Sequence, residues 1–519
     1  MTSLWEDHDA CYSALLAHDA RFDGRVFVGV RTTRIYCRPV CRVRTPRPEN
    51  CRFYPSAAAA ETAGFRPCLK CRPELAPGLA PVDGPARQAR QAARLIADDP
   101  VDLTVEDIAA RLQITSRQLR RVVEREYGVA PVRYLRSARL LLAKNLLTDT
   151  DLTITQVAFA AGFGSLRQFN DSFRQHYRLT PSQLRHDAGP PTAHSPTAGP
   201  PTAHSPGGTG ETAVPSSGVG AIRLRLGYRP PYDWDGLVGF LAARAIPGVE
   251  QVTDGVYRRT VRLTKAQVAH SGWLEVRHLP DQAAVAVTVP TALLPALTRL
   301  LNRVRAMFDL DCEPAPIQRR LASLEALGPG LNTPGIRLPG AFDGFELAVR
   351  AILGQQVSVK AARTLAGRLA EDLGDPIETG IEGLTTVFPD PDRIVALPCP
   401  IADRLGPLGV TGARARAIRA LAQAVLQDGL DLTPTADPAQ TIRSLTALPG
   451  VGPWTAQYVA MRALAWPDAF PDSDLGLRLA LQRALGLTDG PTSRQILDLA
   501  ETWRPWRSYA ALNLWRSLT

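Results

Sequence analysis

Between Ala188 and Gly220 the chain carries a single acidic or basic side chain, Glu211, and it repeats GPPTAHSP at 189–196 and again at 199–206. A stretch this rich in Pro, Gly, Ser, Thr and Ala buries too little apolar surface to offset the entropy of ordering it. No single hydrophobic core can therefore run through the 519 residues. The segment reads as a flexible, partly extended tether whose flanking halves move independently, and length alone predicts about three or four domains. Hydrophobic residues make up 45% and charged residues 21%, an ordinary globular balance and not a disordered or membrane composition. No apolar run reaches the roughly 18 residues of a membrane span, and MTSLWEDHDACYS is acidic where a secretion signal is basic and then apolar, so a cytoplasmic protein with no membrane partner is expected.

The net charge of +10 is unevenly placed: residues 21–72 hold 12 Lys and Arg against 3 Asp and Glu. Such a density marks either a surface facing phosphates or a solvated basic face. The same region holds four of the eight cysteines as two close pairs, Cys37-x3-Cys41 and Cys68-x2-Cys71, 26 residues apart. Two tight loops at that spacing supply a tetrahedral thiolate site for zinc, which stabilises a module too small to fold on its own core. Spacing leaves open whether the site is purely structural. Cys11, Cys51, Cys312 and Cys399 are not paired in this way, and without a secretion signal a disulfide framework is not expected.

Around these cysteines, VFVGVRTTRIYCRPVCRVR, ENCRFY and AGFRPCLKCRPE resemble the N-terminal domain of Ada-type methyl phosphotriester-repair proteins. The resemblance implies a zinc-binding methyl-acceptor domain over 1–78, in which Cys37 takes a methyl group irreversibly from a DNA phosphotriester. Cys37, Cys41, Cys68 and Cys71 then hold the metal. Methylation replaces an anionic thiolate by a neutral thioether and so lowers the repulsion between the site and the phosphates. Ada-type proteins often continue into a second methyltransferase with a Pro-Cys-His-Arg motif; that motif does not occur in this sequence.

From about Pro85 the pattern changes to amphipathic helices joined by short turns. LTVEDIAARLQITSRQLRRVVEREYG and TITQVAFAAGFGSLRQFNDSFRQHYR repeat one plan, a helix, a tight turn and a second helix carrying Arg. Gly162, Phe163, Ser165, Phe169 and Phe173 resemble the signature of AraC-type regulators, which implies a tandem helix-turn-helix domain over 84–187. Its recognition helices would enter the major groove. Candidate readers are Ser116, Arg117, Arg120 and Arg121, then Ser165, Arg167 and Gln168; the aromatics are expected in the core. Promoter DNA and RNA polymerase are the implied partners.

Beyond the tether, AIRLRLGY, VYRRTVRL, GWLEVRHL and AAVAVTVP read as strands around a helix at DWDGLVGFLAARA, and the rest of the chain reads as helical. LPGVGPWTAQYVAMRAL contains a hairpin, Leu448 to Pro453, in which Gly450 and Gly452 permit a tight turn that offers N–H groups to a DNA phosphate. FPDSDLGLRLAL follows about 20 residues later, and Asp472, Ser473 and Asp474 each suit a helix N-cap as well as catalysis.

Hairpin and acidic segment together, with FELAVRAILGQQVSVKAA and the terminal WRPWRSYAALNLW, resemble the AlkA-type alkylbase glycosylases of the helix-hairpin-helix superfamily. That resemblance implies a mixed α/β domain over 221–302 and a helical glycosylase domain over 303–519, with Asp474 as the catalytic carboxylate. Trp454, Tyr458 and Trp515 match base-pocket positions, whereas Trp and Tyr in a helical domain are more often plain core. Gln356 stands where a side chain enters the gap left by the flipped base. The carbonyls of Thr446, Leu448 and Val451 match a monovalent-cation site. Relatives that also cleave the backbone carry a Schiff-base Lys at the Trp454 position, so hydrolysis of the N-glycosidic bond without lyase activity is implied.

The expected fold class is multidomain and mainly α with α+β parts. The expected function couples excision of bases such as 3-methyladenine from double-stranded DNA to methyl phosphotriester sensing and transcription control. The alternative is a DNA-binding regulator whose glycosylase-like half is inactive.

Overall fold

Period-two alternation in FVGV, IYC and CRFY becomes three strands: β1 (Phe27–Val30), β2 (Ile35–Cys37) and β3 (Cys51–Tyr54). In this computed structural model both β2 and β3 pair antiparallel with β1, and a short β4 (Arg66–Pro67) adds parallel to β2, giving the order β3-β1-β2-β4. Helix α1 (His8–Leu16), capped by the Asp7 carboxylate, and α2 (Ala57–Thr62) pack with this sheet. The structure describes residues 4–18, 22–23, 26–41, 43–55, 57–68, 71, 73, 88–89, 91–93, 95–96, 100–101, 103–149, 152–188, 220–265, 268–398, 400–434 and 436–518. Apart from Ala188 and Gly220 the tether lies outside them, as does Cys399.

The two repeated units fold as α3 (Val105–Arg111) with α4 (Ser116–Tyr127), and α6 (Ile154–Ala160) with α7 (Leu166–Tyr177). They are joined by the long α5 (Pro131–Asp149) and followed by α8 (Pro181–Ala188). Thr104, Thr115 and Thr153 close capping boxes with Asp107, Gln118 and Gln156, and Ser165 caps α7, each cap contributing about 1 kcal/mol. Phe163, Phe169 and Phe173 are buried, with successive ring centroids 5.2 and 5.5 Å apart, so the signature aromatics are core. Gly162 turns the chain at φ +79, and a Cβ there would lie 2.8 Å from the Val101 carbonyl oxygen. Gly162→Ala is accordingly expected to destabilise this domain by about 2 kcal/mol or more, readable as a lowered melting transition.

After the tether, β5 (Ala221–Gly227), β6 (Glu250–Thr253), β7 (Val256–Lys265), β8 (Val268–Leu279) and β9 (Ala284–Pro290) form an antiparallel sheet in the order β5-β9-β8-β7-β6. Helix α9 (Trp234–Ala242) packs against β6 and β7. Ile222, Leu224 and Leu226 point inward from β5 in alternation, whereas β9 is buried on both faces. Strand β6 was not among the sequence-predicted strands: its four residues, EQVT, are too short and too polar to announce themselves. Helix α10 (Leu297–Met307) runs across residues 302 and 303, and its buried Leu297, Leu300, Val304 and Met307 join the core beneath the sheet.

The remainder is helical except for a two-residue ladder between 375–376 and 386–387. It contains α11 (Pro314–Arg320), α12 (Gly344–Leu353), α13 (Val359–Leu373), α14 (Gly412–Leu426), α15 (Pro438–Thr446), α16 (Pro453–Arg462), α17 (Leu475–Ala484), α18 (Ser493–Glu501) and α19 (Arg507–Arg516). Buried ion pairs fasten these helices to the sheet. Arg259 of β7 donates to Glu346 of α12 at 2.5 Å, and Arg350 of α12 donates to Glu250 of β6 at 2.8 Å. Burial would raise the Glu250 carboxyl, but Arg350 and Arg259 outweigh it and hold its pKa at about 2.

The halves on either side of the tether also touch. Asp7 lies 3.8 Å from Arg320, the Phe22 and Trp466 rings are 5.6 Å apart, and side chains of α5 to α7 share one apolar cluster with the five-stranded sheet. Independent motion, the expectation drawn from the tether, is not what the packing displays. Linker composition reports only how freely the ends could separate, whereas complementary faces decide whether they do.

Candidate active site and candidate metal centre

Helix α16 starts directly from the hairpin, with Gly452 as N-cap and Pro at its first position, where a missing N–H costs nothing. Gly450 adopts φ +77, the left-handed conformation its turn requires. Gly452 has an ordinary extended conformation, and a Cβ there would meet nothing within 4 Å, so its contribution is an open approach to the backbone rather than a special turn.

Trp454 and Tyr458 are one helical turn apart on α16, and their rings stack at 5.3 Å and 9°. Trp515, near the end of α19, brings its ring to 6.3 Å from Tyr458. Asp474 caps α17, its Oδ1 accepting from the Leu477 N–H at 2.9 Å. The same carboxylate accepts from the Trp515 indole on Oδ1 at 2.9 Å and from the Trp454 indole on Oδ2 at 2.8 Å. Three N–H donors thus fix both oxygens, and capping, read from the sequence as the rival of catalysis, is one part of a single arrangement. A carboxylate offers about four acceptor positions, so room remains for a further partner.

Several residues that sequence reasoning passed over complete this centre. A Cβ on Gly476 would lie 3.0 Å from Asp474 Oδ1 and 3.2 Å from the Trp515 ring, so a side chain there would press on both the carboxylate and the indole that meets it. Arg462 donates to the Tyr458 phenol at 2.8 Å and to the carbonyls of Pro339 and Gly340 at 2.8 and 3.0 Å, pinning that ring to a distant loop. Burial would raise the Tyr458 phenol pKa, but the guanidiniums of Arg462 and Arg244 lower it instead. Arg462 and Gly476 lie within the two quoted segments, but the groups that give them these roles, the Pro339 and Gly340 carbonyls, Arg244 and Trp515, come from segments far away in the chain.

Gln356 is exposed at φ +55 in the loop between α12 and α13. Its neighbour Gln355 donates to the Gly450 carbonyl at 2.9 Å and to Thr455 Oγ1 at 3.0 Å, and Arg414 donates to the Gln355 carbonyl. The candidate wedge and the hairpin are therefore braced together. Among the three candidate cation-binding carbonyls, that of Leu448 accepts from the Val451 N–H at 3.2 Å.

In the helix-turn-helix units, Arg117, Arg120 and Arg121 are exposed on α4, with Arg120 paired to Glu124 at 2.9 Å; Ser116 opens that helix. Arg167 and Gln168 are exposed at the start of α7, while the Ser165 hydroxyl is engaged by the Gln168 N–H.

At the N-terminus, Cys37 ends β2, and Cys68 follows β4, its N–H donating to the Tyr36 carbonyl at 3.0 Å. With Cys41 and Cys71 they form a cluster whose sulfurs all lie within 4.8 Å of one another. The thiols compete for protons: hydrogen bonding to Cys71 and burial push Cys37 up, burial pushes Cys41 to about 11, and the bond from Cys37 draws Cys71 down to about 6. Four sulfurs this close cannot ionise together without a cation, and a soft, four-coordinate divalent ion fits them. Cys51 donates instead to the Arg47 carbonyl at 3.4 Å.

Residues 10–74 match the metal binding domain of Ada, 108–187 a helix-turn-helix domain, 223–343 the AlkA N-terminal domain, and 349–505 the HhH-GPD superfamily base excision DNA repair protein. A Mycobacterium tuberculosis protein named "probable bifunctional transcriptional activator/DNA repair enzyme AlkA" is 41% identical over 99% of this chain and 97% of its own length. The chain belongs to this bifunctional Ada/AlkA-type family. Escherichia coli DNA-3-methyladenine glycosylase 2 is 37% identical over 56% of the chain and 95% of its own length. The E. coli bifunctional transcriptional activator/DNA repair enzyme Ada is 31% identical over 34% of the chain and 49% of its own length. The Ada/AlkA-type architecture thus unites a four-cysteine zinc domain, a DNA-binding helix-turn-helix domain and a glycosylase of the DNA-3-methyladenine family. Among the described residues no helix is long and apolar enough to cross a membrane.

Proposed function

We propose that this chain excises alkylated bases of the 3-methyladenine type from double-stranded DNA by hydrolysis, senses methyl phosphotriesters at Cys37, and couples that sensing to transcription. The observation that carries the first part is the Asp474 carboxylate gripped by Trp454 and Trp515 beside the hairpin. A flipped, alkylated purine is cationic, so the electron-rich faces of Trp454, Tyr458 and Trp515 attract it by ~1–2 kcal/mol each. Asp474 stabilises the oxocarbenium-like sugar as the N-glycosidic bond breaks, and assists water in attacking the anomeric carbon. The bonding electrons leave with the base, whose positive charge they neutralise. Gln356 fills the vacated gap, while Gly450 and Gly452 seat a phosphate; a monovalent cation at the Thr446, Leu448 and Val451 carbonyls would reinforce that seat. Because Trp454 stands where lyases carry Lys, no Schiff base forms and the backbone stays intact.

In the sensor, Cys37, Cys41, Cys68 and Cys71 would hold zinc, which keeps sulfur ionised at neutral pH. Cys37 Sγ attacks the methyl carbon, the C–O bond breaks, and the phosphodiester anion departs. The loss of thiolate charge strengthens DNA binding, with Arg117, Arg120, Arg121, Ser165, Arg167 and Gln168 reading the promoter and RNA polymerase as partner in a cytoplasmic setting. The domains are assigned as 1–78, 84–187, 221–302 and 303–519, joined by the tether at 188–220.

The test has two readouts on one preparation: free base released from alkylated duplex DNA, and the mass of the 1–76 segment after exposure to methyl phosphotriester DNA. Released base with an intact strand and a single methyl on Cys37 are expected. No released base refutes the enzyme, and an unmodified Cys37 refutes the sensor. Gly476→Ala, which crowds Asp474 and Trp515, is expected to cut turnover roughly tenfold to a hundredfold with the melting temperature nearly unchanged, since misplacement of a catalytic group weighs on rate more than on stability.

A further inference from the structure

The zinc module meets the glycosylase through one side of α1 and the residues after it. Ala17 packs on the apolar core that holds Trp503, Trp506 and Tyr509, and Phe22, fully buried, lies with its ring 5.6 Å from Trp466. Asp7, the cap of α1, sits 3.8 Å from Arg320 of α11, with both side chains largely buried, and it feels the charges of Glu501 and Arg504 as well. Apolar contact at one end and a charge pair at the other are the makings of a specific interface.

Its location matters for the chemistry. Trp466 follows the C-terminal end of α16, a ten-residue helix about 15 Å long whose other end carries the hairpin. The Trp466 carbonyl accepts from Ser508 Oγ at 2.8 Å, at the start of α19, and α19 ends beside Asp474 with Trp515. The contact therefore lies at the ends of both pocket helices that are remote from the hairpin. On the module's side, His18 Nδ1 is 3.3 Å from the carbonyl of Pro39, within the loop between Cys37 and Cys41.

We infer that the zinc module is docked in cis on the glycosylase domain, through Asp7, Ala17 and Phe22 against Arg320 and Trp466, leaving the hairpin end free for DNA. Sensor and glycosylase then move as one body whatever the tether allows. On the functional reading above, a phosphotriester engaged at Cys37 holds the glycosylase beside DNA that the same agents have alkylated, raising its local concentration there.

The interface itself is tested without reference to catalysis, on the zinc-loaded full chain. Hydrogen exchange of the segments 317–320 and 465–468 is compared between wild type, Ala17→Arg and, as a control, Leu16→Arg, since Leu16 is 55% exposed. Docking predicts exchange faster by a factor on the order of ten in Ala17→Arg and unchanged in Leu16→Arg. Unchanged exchange in a zinc-loaded Ala17→Arg chain overturns the inference. Should Ala17→Arg fail to hold zinc, a dihydrazide cross-linker that joins carboxylates decides on the wild-type chain. It should connect the peptide carrying Asp7 to that carrying Glu501, and its absence from the digest overturns docking equally.

Discussion

Asp474→Asn is expected to lower base release from alkylated duplex DNA by about a hundredfold to a thousandfold, the usual loss when one preorganised electrostatic group is removed from a reaction centre. The substitution keeps shape and removes charge. Asn is as good an N-cap as Asp, so the Leu477 N–H keeps its acceptor and α17 keeps its start. The indoles fare less well. Trp454 and Trp515 donate to different oxygens of the carboxylate, and a carboxamide presents oxygen to one of them and an NH2 group to the other. One indole is left facing a donor, at a stability cost of about 1 kcal/mol, far less than the effect on rate. DNA affinity should hold, because the hairpin and the Gln356 loop are braced by Gln355 and Arg414 and not by Asp474. Single-turnover release measured beside melting and DNA binding checks all three expectations. Equal release by Asp474→Asn and wild type would remove Asp474 from the chemistry.

Cys68→Ala should reduce bound zinc from one ion per chain to near zero and unfold the N-terminal module, while base release persists. Structural zinc contributes apparent binding energies of about 10–16 kcal/mol, more than a small domain's whole stability. The module shows why it depends on the ion. Its apolar cluster is small and five of its buried members, Cys11, Cys37, Cys41, Cys51 and Cys68, are cysteines, three of them in the candidate metal centre. The glycosylase half has its own larger clusters, so it survives loss of the module. Zinc content by metal analysis and far-ultraviolet dichroism across the melt check the first expectation, and base release the second. Full zinc retention by Cys68→Ala would mean that the four sulfurs are not the ligand set.

Much of the architecture was legible because its signals are local. Alternation wrote out β5, β7, β8 and β9, helical period and short turns wrote out the paired helices before the tether, and cysteine spacing announced a metal cluster. Strand β6 escaped because a four-residue edge with one buried side chain has no periodicity to detect. In the site, Asp474, Trp454, Tyr458 and Trp515 could each be named, but with capping as an equal reading for Asp474 and plain core as the commoner one for the aromatics. What no local pattern shows is that the two indole N–H groups converge on one carboxylate, across 20 and 41 residues of chain.

Sequence by itself determined the inventory: which segments become sheet or helix, which cysteines cluster, and which side chains can carry charge or present an aromatic face. These follow from neighbours a few residues apart, where propensity and periodicity act. Tertiary structure alone decided that Gly476 sits tightly against Asp474 and Trp515, that Arg462 ties Tyr458 to the Pro339 and Gly340 carbonyls, that Gln355 ties the Gln356 loop to the hairpin, and that the module before the tether lies against the domain beyond it. Trp515 against Gly476, the Pro339 and Gly340 carbonyls on Arg462, Gly450 against Gln355 and Trp466 against Phe22 all come from remote parts of the chain, and no local pattern encodes such a meeting.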